Sequence, residues 1–340
     1  FYNGKPSPWE STLGNEELTW EKNYAQNLGL DIGLFSRVNV SLDWYTRTTK
    51  DLLMSKQLNS ISGFSSLLTN VGQMRNTGVE LEVRSNNIKT KDFSWTTAFN
   101  LSHNKNKILK LADLPWFVDG RYVRKEGYPF NTIYLREYAG VDPETGSALY
   151  YDNQQDENGN YTKNKVTDPG QASPIPLKDI TPTISGGFMN TFNYKFIDLS
   201  FNLSYSFGGY SYDNASYILQ DDGYSVISNK STEQRRRWQK PGDITDVPRF
   251  VYGNKKGGNY NSSRAIHSTD HIRLKSLILG LNAPKAWLQK LGIGNARIYF
   301  SGTNLLTWAA YGQYDPEMSG VVGFYTPPLK TYAFGLELKF

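Results

Sequence analysis

The strongest constraint on this chain is that apolar and polar residues alternate one by one over segments of roughly 10 to 14 residues, the period of a strand and not of a helix. Across residues 197–207, Ile197, Leu199, Phe201, Leu203, Tyr205 and Phe207 share one face. Asp198, Ser200, Asn202, Ser204 and Ser206 share the other, because successive side chains of a strand point to opposite sides. Residues 183–194 repeat the pattern with Ile184, Phe188, Phe192 and Tyr194 on the apolar face, and Lys195-Phe196 joins the two segments as a tight hairpin. Segments 24–35 and 38–46 do the same around a Ser36-Arg37 turn: Leu28, Leu30, Ile32 and Leu34, then Val38, Val40, Leu42 and Trp44. Further strands are expected at 78–86, 93–104, 270–282, 296–307 and 329–340, with a phase change near Ser276 that reads as a bulge.

The spacing between strands narrows the architecture. Connections 36–37, 87–92, 195–196 and 283–293 are short, whereas 50–73, 105–182, 210–269 and 308–328 are long, polar and rich in Gly and Tyr. Brief turns at one end and elaborate loops at the other describe an outer-membrane barrel, and a tilted strand of about 9 to 11 residues spans the hydrocarbon. The fold class expected is therefore all-β, an antiparallel transmembrane β-barrel portion with long extracellular loops. Trp, Tyr and Phe make up 14% of the residues although the mean hydropathy is only −0.55, as when apolar residues are hidden in alternation. No apolar run reaches the ~18 residues of a membrane helix. The apolar faces would meet lipid, with Trp44, Trp95, Tyr194, Phe207, Trp308 and Tyr332 in interfacial girdles. A soluble sandwich would bury the same faces in a core.

Several chemistries are excluded. With no Cys there are no disulfides, thiolate metal sites or cysteine nucleophiles, and His103, His267 and His271 offer little for imidazole catalysis. Residues 152–160, Asp-Asn-Gln-Gln-Asp-Glu-Asn-Gly-Asn, suggest a calcium loop, but aligning Gly159 with the turn glycine puts Gln154 and Lys165 where acids are required. A polar hairpin tip is expected instead. Arg235-Arg-Arg-Trp238 is flanked by Glu233, Asp243 and Asp246, and a net charge of +5 is dilute for a nucleic-acid protein. Gly208-Gly209 and Gly257-Gly258 are expected at strand ends and loop tips. No enzyme activity, cofactor or metal is expected. The opening Phe1-Tyr2-Asn3-Gly4 has neither an initiator Met nor a leader, so a mature product or a fragment is expected.

A series of motifs in fixed order resembles the SusC-like, or RagA-like, branch of TonB-dependent outer-membrane transporters of Bacteroidota. They are Leu18-Thr-Trp-Glu-Lys22 with Asn27-Leu-Gly-Leu-Asp31; Asn70-Val-Gly-Gln-Met-Arg-Asn-Thr-Gly-Val-Glu-Leu-Glu82; and Phe99-Asn-Leu-Ser-His-Asn-Lys-Asn-Lys-Ile-Leu-Lys-Leu111. Then come Tyr138-Ala-Gly-Val-Asp-Pro-Glu-Thr-Gly146, Arg237-Trp-Gln-Lys-Pro-Gly-Asp-Ile-Thr-Asp-Val-Pro-Arg249, Ser301-Gly-Thr-Asn-Leu-Leu-Thr-Trp308 and Tyr314-Asp-Pro-Glu317. The resemblance implies a barrel of about 22 strands with an N-terminal plug. On that reading residues 1–340 are the C-terminal part of a single outer-membrane barrel domain, roughly its last nine strands, with the plug outside this chain. It further implies TonB-dependent import of oligosaccharide or oligopeptide cargo, a SusD-like surface lipoprotein as lid, and TonB acting through the plug. Outer-membrane lipid, and no nucleic acid, completes the expected partners.

Within the long loops, Trp116, Tyr122, Trp238, Tyr311 and Tyr325 are the expected cargo contacts, flat aromatic faces among amides and carboxylates. The resemblance also implies that Tyr332, Phe334, Leu336, Leu338 and Phe340 form an assembly signal read by the outer-membrane insertion machinery. A docking barrel in a larger envelope complex, or a soluble all-β carbohydrate-binding module, are the alternatives.

Overall fold

The computed structural model describes residues 13–111, 114–254, 261–289 and 292–340. Phe1 to Gly4, Gly257, Gly258 and Tyr260 lie outside the described residues. Nine strands hydrogen-bond in chain order into one sheet: β1 (Lys22–Leu34), β2 (Val38–Lys50), β3 (Gly72–Lys89), β4 (Phe93–Leu111), β5 (Ile184–Tyr194), β6 (Ile197–Phe207), β7 (His271–Asn282), β8 (Asn295–Ala309) and β9 (Thr331–Lys339). The expected meander is present. Among the described residues no helix is long and apolar enough to cross a membrane, which leaves strands unaffected.

Chain contacts divide the molecule into two compact units. The first holds the described residues up to Leu28 with Trp44–Gly78 and Asn104–Thr132. Here Asn70 accepts from the Thr19 amide at 2.9 Å and donates to the carbonyls of Thr19 and Asp51, tying the loop that follows β2 to the segment before β1. Asn104 and Asn106 both donate to Asn76 Oδ1, at 3.3 and 2.9 Å. This amide ladder, with Ile108 and Leu111 buried beyond it, carries β4 to Leu111, past the expected end at residue 104. Strands of 18 and 19 residues exceed what the hydrocarbon requires, so β3 and β4 extend beyond it. Their missed length has a physical cause: Lys105, Lys107 and Lys110 break the apolar alternation once the strand leaves lipid.

The second unit holds Gly29–Asp43, Val79–His103 and Ile133–Phe340. The turn after β1 covers Phe35 to Arg37, one residue wider than expected, with Phe35 and Ser36 at φ 53° and 52°. Lys195, at φ 51°, and Phe196 make the expected turn, which locks β5 and β6 in register from Ile184↔Phe207 to Tyr194↔Ile197. Register then propagates the apolar face sideways. Trp95, Phe192, Leu199, Leu279, Phe300 and Phe334 are successive cross-strand neighbours in one row. That face is open: Leu279 is 41% exposed and Phe334 82%. Of the residues expected in a girdle, Tyr194, Phe207, Trp308 and Tyr332 are exposed here and Trp44 is exposed in the first unit, whereas Trp95 is half-buried.

A polar cluster sits in this face: Ser85 donates to Asn87, Asn87 to Thr97, and Thr97 to Asn190. Asn190 is 2% exposed, and its Oδ1 accepts from Trp95 Nε1 and Thr97 Oγ1, both at 2.8 Å. A polar group facing lipid is costly unless bonded; these donors satisfy the Asn190 oxygen, while its Nδ2 has no hydrogen-bond partner among the described residues. On the opposite face Arg297 bonds both carboxylate oxygens of Asp198, and Asn282 donates to the same group. Gly280 makes room, since a Cβ there would lie 2.4 Å from Asp198 Oδ1.

The expected bulge lies where β7 steps from Leu274 to Ser276, and β8 answers with Asn304 at φ 51°. The doubled irregularity turns the loop-side ends of both strands and sets up the site described below.

Leu203 pairs with Phe188 on the apolar face and Asn202 points away from it. Leu203→Arg should therefore destabilise the folded barrel by about 2 to 4 kcal/mol in lipid, and Asn202→Arg by much less. Equal effects in urea titrations of lipid-refolded protein would contradict this facing.

Candidate ligand cleft between the outer loops

At the loop-side ends of β7 and β8, within the second unit, an open cleft of about 670 Å³ lies between strand-end residues Arg273, Asn304 and Thr307, the helical turn Asn214–Leu219, and the loop preceding β9. Its construction begins with a crossing of loops. The strand Tyr210–Asp213 pairs antiparallel with Ile266–Ser268 and parallel with Gly320–Val322, so the loop after β6 and the loop after β8 share one small sheet. Tyr212 sits at its centre, 1% exposed, and donates to Asn261 at 2.6 Å.

Asp213 then does two things. Its Oδ1 accepts from the Ser216 amide at 2.8 Å, capping the helical turn, and its Oδ2 accepts from Tyr311 OH at 3.1 Å. Tyr311 lies flat on His267, ring centroids 3.7 Å apart and 2° from parallel, and Tyr314 hydrogen-bonds Ser211. Burial raises the Tyr311 hydroxyl well above its ordinary range and pushes the His267 imidazole below its ordinary 6.5, with the Asp213 carboxylate pulling His267 the other way.

On the strand side, Arg273 is 2% exposed and donates to Asp315 at 2.7 Å and to Glu317 at 2.9 Å. Lys275 adds a 2.6 Å bond to Glu317. Tyr314-Asp-Pro-Glu317 thus supplies the acids that neutralise the cations of β7 in the redirected strand end. A second buried cluster braces the loop behind the cleft. Asp222 accepts from Arg264 at 2.5 and 3.2 Å and from Gln234 at 2.9 Å, while Lys230 meets Asp221 at 2.6 Å. Burial disfavours the Arg264 cation, and the Asp222 carboxylate more than offsets it, holding its pKa above the ordinary value.

The expected contacts fall in three places. Tyr325 lines the cleft and is 64% exposed, and Tyr311 stands behind its wall in the His267 stack. Trp238 lies apart from them: its ring covers Gly146, where a Cβ would come within 2.4 Å at φ +67°, and its Nε1 donates to Pro143 at 2.8 Å. The charged run before it forms a turn in which Arg236 pairs with Glu233 and Asp246. Trp116 and Tyr122 belong to the first unit, on the hairpin Trp116–Asp119 and Tyr122–Lys125. Trp116 is exposed, and Tyr122 is half-buried beside Arg124, which bonds Asp119 at 2.8 Å. Residues 152–160 form the expected hairpin tip, closed by the Gln155↔Tyr161 bridge, and Asp152 is spent on Thr162 and Asn164. Among the described residues no group of three or more acids and histidines could hold a metal. Sequence reading missed Asp213 and Arg273, which stand in no motif; only their partner run Tyr314 to Glu317 was visible.

A lipid-exposed antiparallel wall with folded loops at one end defines the class, an outer-membrane β-barrel. The family described as TonB dependent receptor-like, beta-barrel, matches residues 1–162. TonB-dependent receptor P3 of Formosa agariphila is 33% identical over 360 residues, covering 96% of this chain and 35% of the relative. SusC of Bacteroides thetaiotaomicron is 29% identical over 348 residues, covering 96% and 32%. The solved structure of the RagAB peptide transporter superposes with a TM-score of 0.88 at 32% identity, covering 100% of this chain and 38% of that one. The chain belongs to the TonB-dependent receptor barrel family of the outer membrane, on the SusC-like side of it. It spans about a third of the length of the relatives it matches.

The His267 stack predicts a pH dependence. Because the folded pKa lies below 6.5, the opened loops bind the proton more readily, so the stack is fully stabilising above 6.5 and weakens as pH falls through that value. Protection factors of the 311–322 amides, that is, exchange rates corrected for their intrinsic pH dependence, should fall as pH drops through this window, and His267→Phe should remove that fall. An unchanged profile in the Phe variant would exclude His267.

Proposed function

We propose that residues 1–340 are the C-terminal part of the barrel domain of an active importer of oligomeric nutrients, glycans or peptides. A SusD-like surface lipoprotein lids it, and TonB acts through a plug outside this chain. The observation that carries this reading is the packing of the outer loops. Buried ion pairs at Asp222, Arg264 and Arg273 and a shared sheet between two loops make a structured rim, where plain connectors would need none. The likeness to RagAB and SusC supports a lidded importer in particular. Of the five expected aromatics, Trp116, Tyr122 and Tyr325 are its cargo or lid contacts, while Trp238 and Tyr311 hold the rim in shape.

The test is a shortened rim. Because β4 runs to Leu111, the cut belongs at 114–182, replaced by a short turn. The barrel should still fold, as judged by heat-resistant migration, while growth on the cognate oligomer and capture of the lipoprotein are lost. Full uptake with the lipoprotein still bound would refute the role of this loop.

Tyr332, Phe334, Leu336, Leu338 and Phe340, all exposed on one face, serve in this reading as the assembly signal. Deleting Phe340 should yield exported but protease-sensitive protein. Normal heat-resistant barrel from the deletion would count against the assignment.

A further inference from the structure

The cleft at the ends of β7 and β8 carries more than a general importer requires. Resting on the import reading, we infer that it is a subsite for an uncharged, apolar residue of an extended peptide cargo. Three observations bear on the ligand. Most polar groups deep in the wall are already engaged: Arg273 is paired with Asp315 and Glu317, and Asp213 accepts from two neutral donors, Tyr311 and the Ser216 amide. A charged side chain seated against this deep part of the wall would have to compete for groups that are already bonded. The exposed Lys330 stands outside this network.

The apolar part of the lining is the second observation. Leu219, Met318 and Pro316 are irregular aliphatic surfaces, and Met in particular adapts to varied side-chain shapes. A sugar ring presents hydroxyls around its whole edge, and pressing them on such groups would forfeit their hydrogen bonds. An aliphatic or aromatic peptide side chain loses nothing there and gains the burial.

Third, the polar part of the lining is rich in carboxamides. Gln220, Asn304 and Gln313 each carry a donor and an acceptor, the complement of a peptide backbone group. Asn304 is held at the bulge by a 3.2 Å bond to the Leu329 carbonyl, and Gln220 by a 2.7 Å bond to Ser216, so two of the three are prepositioned. Phe324 and Tyr325, 67% and 64% exposed, stand at the open side where they would cover an occupant.

The experiment uses the full-length receptor in detergent, incubated with a casein hydrolysate and, separately, with maltohexaose and laminarihexaose. Retained peptides are identified by mass spectrometry after washing. The expected result is retention of peptides enriched in an apolar residue flanked by uncharged ones. Met318→Glu should abolish that enrichment, and Tyr325→Ala, a change at an exposed ring, should lower retention about tenfold. Heat-resistant migration of each variant confirms a folded barrel. An identical peptide set from wild type and both variants, retention of the sugars alone, or no retention of any probe would each overturn the inference. Growth on the hydrolysate and lipoprotein capture are scored separately. If both persist while the peptide set is unchanged in the variants, the subsite fails and the import reading stands; if both are absent in wild type, the import reading itself fails.

Discussion

Everything in this chain depends on backbone amides that must be satisfied without water. In hydrocarbon each unpaired N–H or C=O costs several kcal/mol, so a chain that crosses with strands must bond every strand to a neighbour along its whole length. The inner strands of the nine-stranded meander meet that demand on both edges, with β5 and β6 paired through all 11 residues of each, while β1 and β9 each have one neighbour in this sheet. The same demand explains why side chains on the lipid face are mostly apolar and why the polar ones around Asn190, among them Thr97 and Asn87, bond to one another and to an indole donor. Hydrophobic burial in the usual sense plays a small part. The strongly buried apolar residues, among them Tyr150, Ile133, Val123, Val322 and Ile108, lie in the loops or at strand ends next to them, not across the membrane-spanning sheet.

The loops obey the opposite rule. Outside lipid, water competes for hydrogen bonds, and long loops lose much conformational entropy when they order. This chain offsets that loss with ionic and aromatic contacts between segments distant in sequence. Asp222 is held by Arg264 and Gln234, and Arg273 collects the acids that follow Tyr314. Trp238 clamps the turn at Gly146. Buried ion pairs add little net stability compared with apolar packing, but a missing partner leaves a stranded charge, so they select one loop arrangement sharply. Such selectivity suits a rim that must present the same surface to every ligand.

Motifs that stand apart in the sequence meet in space. Asn70 bonds Thr19, Asn76 receives Asn104 and Asn106, and the Asp142 to Gly146 turn lies under Trp238. Each motif is one half of a contact. Their fixed order in the chain follows from the fixed order of strands that bring the halves together.

The sequence by itself determined the nine strands of the large sheet, their facing, the alternation of short turns and long loops, and even the bulge near Ser276, because side-chain period and turn chemistry are local properties. The short strands inside the loops, such as Trp116–Asp119 and Tyr210–Asp213, were not legible. Strand ends were less legible, as at Leu111, where lysines replace the lipid-facing pattern although hydrogen bonding continues. The cleft was not legible. Asp213, Arg273 and Asp315 come together only because Tyr210–Asp213 pairs in parallel with Gly320–Val322 and because the bulges turn the ends of β7 and β8. Pairing between distant loops leaves no period in either partner, so tertiary structure alone decided it.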